Sequence, residues 1–78
     1  MITRYVECAM QHARHEVLSD GTHHAEIPEC PGVWATGATR GKCLEELREV
    51  LEEWLLLRLH DGDPLPEIEG LDLNRKAV

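Results

Sequence analysis

The chain has 78 residues, a length that suits one small domain and is too short for two. Its hydrophobic content of 42% is enough for a core. Fifteen acidic residues against eight basic ones give a formal net charge of −7, which repels nucleic-acid phosphates and favours a basic protein partner. The three cysteines match neither a disulfide framework nor a zinc pattern, and no apolar stretch is long enough to span a membrane. We therefore expect a cytoplasmic protein that binds neither nucleic acids nor membranes directly.

The first third of the chain predicts a helix followed by a β-hairpin. Apolar residues recur at helical spacing between residues 3 and 13, which indicates a short helix within residues 1–14. Two strands are expected over residues 15–18 and 22–27. Between them, Asp20-Gly21 is typical of a two-residue hairpin turn.

A Pro-Gly turn, a third strand and a long helix are predicted next. Gly32, after Pro31, tolerates the positive φ that a type II turn requires at its second inner position. The third strand is expected over residues 33–37, and the helix from Arg40 to His60. Thr39 is suited to cap the start of this helix.

The long helix has one apolar face and a well-defined end. Gly62 suits the left-handed residue that closes a helix, and prolines follow it. The apolar face comprises Leu44, Leu47, Leu51, Trp54, Leu55 and Arg58. Residues 54–59 are apolar around more of the helix than one sheet covers, so we expect a homo-oligomer, a dimer or tetramer, with Trp54 and Leu57 at its interface. For Trp54, burial under the sheet is the favoured alternative.

These elements predict a single α+β domain with a small antiparallel sheet packed against one long helix. The helix over residues 1–14 precedes a core over residues 15–73, and residues 74–78 form a tail. The core is expected to end with a short fourth strand from Ile68 to Leu73, in which Gly70 allows a bulge.

The order of turns and elements resembles the HicB family of antitoxins over residues 15–73. The segments that carry the resemblance share their relative spacing with that family; they are Asp20-Gly21, Ala25 to Pro28, Pro31 to Ala35, Gly37 to Thr39, the helix with Leu47, Leu51 and Trp54, Gly62, and Leu65-Pro66. The resemblance implies a partial RNase H-like fold, here with an extra N-terminal helix. It also implies binding to a small basic RNA-cleaving toxin of the HicA type, whose active site the antitoxin covers.

The chain departs from the family pattern in two respects. Ala38 and Gly41 stand where acidic residues are common in the family, which weakens the start of the helix. Many family members also carry a C-terminal DNA-binding domain, and this chain stops close to the last predicted strand. We therefore expect a short form that does not repress its own operon alone.

The predicted contact surface for the toxin comprises His24, Glu26, Glu29 and Trp34. For Trp34 two interpretations stay open, because it either packs beneath the N-terminal helix or anchors a protein interface, where tryptophan is enriched. His23 and His24 lie on a strand and therefore point to opposite sides, so we expect one to be packed and the other exposed.

Two other functions are weighed against the antitoxin. The first is a solitary structural or adaptor protein that has no toxin partner. The second, strongly disfavoured, is a metal-dependent nuclease, whose carboxylates would come from Glu16, from Glu49 or Glu53, and from Asp72. We expect no enzymatic activity.

Three cysteine and histidine residues have a spacing that a metal site also uses. Cys8, His12 and His15 would lie on one face of a continuous helix, as zinc or copper ligands do. Because a strand that begins at Arg14 removes His15 from that face, surface histidines with a half-buried cysteine are the favoured interpretation.

Cys43 lies in a first helical turn, where the dipole lowers a thiol pKa, although an ordinary half-buried residue is favoured there too. We expect no cofactor.

Overall fold

The computed structural model describes residues 2–70, which form two helices and one antiparallel sheet. The elements in chain order are α1 (Ile2–Gln11), β1 (Arg14–Val17), β2 (His23–Glu26), β3 (Trp34–Gly37) and α2 (Arg40–Asp61). The strands lie side by side in the order β1-β2-β3, each antiparallel to its neighbour. The predicted α+β class, with a small antiparallel sheet, one long helix and an extra N-terminal helix, is confirmed.

The hairpin between β1 and β2 has a longer loop than predicted. The Leu18 amide donates to the Thr22 carbonyl at 2.8 Å, and the Gly21 amide donates to the Leu18 carbonyl at 2.9 Å. Gly21 takes a φ of 86°, and the Asp20 carboxylate accepts from the Thr22 amide at 2.9 Å. The prediction of a two-residue turn is therefore wrong, because Leu18 and Thr22 close a three-residue loop of the kind that places glycine in the left-handed region.

The Pro-Gly turn before β3 is confirmed. The Val33 amide donates to the Cys30 carbonyl at 3.0 Å, and Gly32 has a φ of 89°, as the second inner position of a type II turn requires. Ile27 and Val33, which flank the turn, are both buried, and the Ile27 amide donates to the Val33 carbonyl at 3.1 Å. The turn thus places two apolar side chains in the core.

The core lies between α2 and one face of the sheet. Ala25 of β2 and Ala35 of β3 are register partners, and both are buried. The buried residues of α2 are Cys43, Leu47, Leu51 and Leu55. Because alanine side chains are short, the helix lies close to the strands, and at Gly37 a Cβ atom would stand 2.7 Å from the Cys43 backbone nitrogen.

Both ends of α2 are capped as predicted. The Thr39 hydroxyl accepts a hydrogen bond from the Lys42 amide at 3.1 Å. Gly62 has a φ of 73°, and its amide points to the last turn of the helix. The helix therefore stops one residue after the predicted end, at Asp61.

The first and last described segments of the chain meet beside α2. The N-terminal helix ends at Gln11, before the predicted residue 14, because β1 already begins at Arg14. Its Tyr5 is fully buried and donates from its hydroxyl to the Pro66 carbonyl at 2.6 Å. Leu65 and Ile68 of the C-terminal segment, residues 63–70, are buried as well.

The predicted fourth strand is not formed in the described part of the chain. Ile68 makes a single isolated bridge, and Glu69 and Gly70 form a turn with φ values of 50° and 79°. A turn at this point redirects the backbone, so residues 69 and 70 do not continue the pairing. Residues 71–73 of the predicted strand and the predicted tail, residues 74–78, lie outside the described residues.

We predict opposite effects for two alanine substitutions of glycine. Gly37→Ala places a methyl group against the backbone of α2 and lowers the free energy of unfolding by about 1–3 kcal/mol. Gly41→Ala, a matched control with open space around its Cα, raises it by about 0.5 kcal/mol because alanine favours helix. Urea unfolding followed by circular dichroism measures both, and a Gly37→Ala variant as stable as the wild type contradicts this account of the packing.

Candidate protein-binding surface

The face of the sheet opposite α2 carries polar side chains and one tryptophan. Alternation along the three paired strands places on it Arg14, Glu16, His24, Glu26, Trp34 and Thr36. We call these six residues the outer face. Ala25 and Ala35 point the other way, into the core. Neither helix packs on the outer face, so it is available to a partner in the part of the chain that the structure describes.

Trp34 is the large apolar side chain of the outer face. It is 56% exposed, and its ring stacks on His24 with a centroid separation of 6.0 Å. This placement shows that the ring does not pack beneath α1, while its role as an interface anchor stays a prediction. An exposed tryptophan that is held by a neighbouring ring has the character of an interface anchor.

Charged side chains surround a shallow depression beside Trp34. The depression has a volume of about 270 Å³ and is lined by Arg14, His15, Glu16, His24 and Glu26. The Glu16 carboxylate lies 3.7 Å from the His24 ring nitrogen, and Glu26 is the register partner of Arg14. Each carboxylate thus has one cationic or titratable neighbour and keeps oxygen atoms that face solvent. The depression suits the guanidinium or ammonium group of a basic partner.

Glu29 does not lie on the outer face. It lies in the connection between β2 and β3, and its Oε2 atom accepts a hydrogen bond from His12 Nδ1 at 2.6 Å. That hydrogen bond lowers the pKa of the Glu29 carboxyl. Its Oε1 atom is buried without a hydrogen-bond partner among residues 2–70. Glu29 is thus separate from the other three residues of the predicted contact surface, and its contact with a partner stays a prediction.

The two adjacent histidines of β2 point to opposite faces, as predicted. His24 lies on the outer face, while His23 lies on the inner face and shares a hydrogen bond of 2.8 Å with the ring of His15. Both are half-buried, so the prediction that one is packed and the other exposed is wrong. The contact between His15 and His23 was not predicted. His15 lies two residues before Val17, which is the register partner of His23. The strand register therefore brings the two histidines close together on the same face of the sheet.

The carboxylates and thiols considered as metal ligands lie apart. Glu16 is on the outer face, whereas Glu49 and Glu53 are exposed on α2, across the sheet. Asp72 lies outside the described residues. His12 and His15 separate as expected, because β1 begins at Arg14 and His15 turns to His23. Within residues 2–70, no group of three histidine, cysteine or acidic side chains has the geometry to hold a metal ion.

Comparisons with known proteins assign the chain to a family. The family model described as UPF0150-like matches residues 4–66. The chain belongs to the UPF0150-like family. It is similar to the crystal structure of TTHA0281 from Thermus thermophilus, with 39% sequence identity and a TM-score of 0.90. That similarity covers 97% of this chain and 95% of the other. A search of curated proteins gives no match.

The second half of α2 in this UPF0150-like chain exposes leucine side chains. Leu56 and Leu57 are 62% and 64% exposed, and the expected oligomer contact at Leu57 stays a prediction. Trp54 is half-buried against the core, and the Arg58 guanidinium lies 4.6 Å from the centre of its ring. The expected burial of Trp54 is therefore partial, and one side of its ring is covered by a cation–π contact.

Burial raises the pKa of all three cysteine thiols. Cys43 is fully buried and donates from Sγ to the Ala35 carbonyl at 3.5 Å. Burial raises its pKa, so the activation by the helix dipole that was considered for it does not apply. Burial also raises the pKa of Cys30 to about 11. Cys8 is half-buried, and its pKa is raised by desolvation and by the neighbouring Glu69 carboxylate.

None of the helices within residues 2–70 has both the length and the apolar character needed to cross a membrane.

We predict that thiol reagents distinguish Cys8 from the two buried cysteines. In the folded UPF0150-like chain, iodoacetamide at pH 8 modifies Cys8 first, since Cys30 and Cys43 are fully buried and react only when the fold opens. Peptide mass spectrometry over time measures the order, and added urea increases the rates of the two buried thiols. Equal rates for Cys8 and Cys43 in the absence of urea contradict the prediction.

Proposed function

We propose that this UPF0150-like chain is a HicB-like antitoxin that acts in the cytoplasm. In this proposal the chain binds a small basic RNA-cleaving toxin of the HicA type and covers its active site. The mechanism is steric and electrostatic, and the chain breaks no bonds itself. The proposal joins the resemblance of residues 15–73 to the HicB family with the character of the outer face.

The observation that carries this proposal is the exposed Trp34 on an uncovered sheet face, beside a depression to which Glu16 and Glu26 contribute carboxylates. Tryptophan is among the residues that contribute most to protein interfaces, because its large ring is desolvated on binding. The Glu16 and Glu26 carboxylates next to it attract lysine or arginine side chains. The net charge of −7 speeds the approach of a basic protein over a longer distance.

The contact surface proposed here keeps three of the four residues predicted from the sequence. His24, Glu26 and Trp34 lie together on the outer face. Glu16 takes the place of Glu29, since Glu16 lines the same depression and stands beside His24. The surface therefore spans all three strands.

We predict that Trp34→Ala weakens binding to the toxin without unfolding the antitoxin. The affinity falls roughly 30-fold or more, as expected when a central aromatic anchor is removed. Calorimetric titration with a purified HicA-type toxin from the same genome measures the dissociation constant, and circular dichroism verifies the fold. Glu26→Gln slows association at low salt, while Glu53→Gln, a matched change on the opposite side of the molecule, leaves it nearly unchanged.

Two experimental results would count against the antitoxin proposal as stated here. If the wild-type chain neither binds such a toxin nor relieves the growth arrest that the toxin causes, the solitary adaptor interpretation replaces it. If Trp34→Ala binds as tightly as the wild type, the antitoxin uses another surface.

We also propose that a second copy of the chain covers the exposed leucines of α2. Leu56 and Leu57 are adjacent and more than three-fifths exposed, on the side of α2 that faces away from the buried Leu51 and Leu55. Two such helices side by side would remove these side chains from water in a symmetric contact. The expected assembly is a dimer or tetramer.

We predict that charge on this strip separates the copies. Leu56→Glu combined with Leu57→Glu gives a monomer, because carboxylates in a shared apolar contact cost more than its burial contributes. Sedimentation equilibrium measures the mass, and Val17→Glu, a change at an equally exposed apolar residue of β1, serves as the control. A wild-type chain that is monomeric at all concentrations contradicts this proposal.

A further inference from the structure

Three distant segments of the chain meet at the side chain of His12. This residue follows the end of α1, and its Nδ1 atom lies 2.6 Å from Oε2 of Glu29, in the connection between β2 and β3. Its Nε2 atom lies 3.2 Å from Oε2 of Glu69, in the C-terminal segment. The three side chains are about one-third to one-half exposed, so they exchange protons with solvent.

The geometry of this cluster determines the charge of the imidazole. A carboxylate oxygen accepts hydrogen bonds and does not donate them, and a neutral imidazole has a single N–H group. His12 therefore satisfies both carboxylates only when both ring nitrogens carry protons. In agreement, the hydrogen bond with Glu29 raises the pKa of His12, and the same contact lowers the pKa of Glu29.

Other charged groups face the cluster from each element around it. The groups that act on it or on its neighbours Cys8 and Cys30 are Arg4 and Glu7 of α1, Arg14 of β1 and Arg58 of α2. The contribution of Arg14 at Glu29 is smaller than that of His12. His12 is thus the principal cation that the two carboxylates contact.

The C-terminal segment is in a strained conformation at the point where it meets His12. Glu69 has a φ of 50°, in the left-handed region that residues other than glycine rarely adopt, and Gly70 follows with a φ of 79°. The carboxylate that reaches His12 belongs to this strained residue. The contact with His12 helps to hold the backbone of Glu69 in this conformation, so the backbone can relax when the contact is lost.

We propose that His12, Glu29 and Glu69 form a pH-sensitive clasp that docks the turn at the end of the C-terminal segment, residues 69–70, on the fold. With a protonated imidazole, the clasp joins α1, the β2–β3 connection and this turn. When the imidazole loses its proton, one of the two carboxylates loses its donor and the turn is released. Leu65, Ile68 and the contact from Tyr5 to Pro66 keep the preceding part in place.

The direction of the pH dependence follows from the two pKa shifts. The pKa of His12 is raised, so the stabilisation that His12 gives the clasp is complete below the ordinary value of 6.5 and is lost as the pH rises through the raised pKa. The pKa of Glu29 is lowered, so the stabilisation that Glu29 gives the clasp is complete above the ordinary value of 4.5 and is lost as the pH falls through the lowered pKa. The clasp is therefore strongest at mildly acidic pH and opens on the alkaline side.

Nuclear magnetic resonance tests the clasp on the full chain between pH 5.5 and 8.5. We expect the His12 ring to titrate above 6.5. With the same midpoint as His12, the backbone order parameters of Glu69 and Gly70 fall from about 0.85 to below about 0.6. Glu69→Gln lowers the His12 pKa and leaves these order parameters low throughout the range.

Two further variants make the test decisive. Glu67→Gln removes the same charge from an exposed side chain two residues away, and we expect the titration of His12 and the order parameters to stay as in the wild type. His12→Gln removes the titrating group, so the order parameters no longer change with pH. The proposal is overturned if His12 titrates at or below 6.5, if the turn stays ordered after His12 has lost its proton, or if Glu67→Gln acts like Glu69→Gln.

Discussion

The close packing of α2 on the small side chains in the middle of the sheet determines the rest of the architecture. Ala25 and Ala35 pair beneath the helix, and Gly37 approaches the backbone at Cys43 so closely that even a methyl group does not fit. Such an approach brings the long leucine side chains of α2 over the strands and closes the core with few aromatic residues. Because Gly37 and Cys43 lie on either side of the turn that leads into the helix, their contact constrains the path of that turn. The Thr39 cap then follows as a local consequence.

The way α2 packs on the sheet accounts for both surfaces proposed as partner contacts. A three-stranded sheet with a helix on one face leaves the other face in water, and Trp34 and His24 stand there. Leu51 and Leu55 of α2 are buried, so Leu56 and Leu57 are exposed because they lie on the side of the helix that faces away from the core. A partner on the outer face and a second copy on α2 would not compete, since the sheet separates the two sites.

The features predicted correctly from the sequence are those whose cause is local. Gly32 and Gly62 meet a backbone requirement set by residues next to them, and the apolar face of α2 follows from helical spacing. The loop at Asp20-Gly21 was located correctly, but its length depended on which residues of the two strands closed it. The segment around Ile68 was predicted less well. Apolar residues around Ile68 are compatible with a strand, and the turn at Glu69 depends on packing against α1, which no local pattern contains.

Glu26 and Glu29 show why the direction of a charged side chain was harder to predict than a turn. Both follow the same hairpin, both are acidic, and both were expected to face a partner. Glu26 stays on the outer face because strand alternation fixes its direction, whereas Glu29 lies beyond β2, where no such alternation applies. Its direction is set by His12, which is 17 residues earlier in the chain and becomes its neighbour only when α1 packs beside the β2–β3 connection. A carboxylate on a strand can thus be assigned to a surface from its position alone, while one in a connection requires knowledge of the long-range cation that it meets.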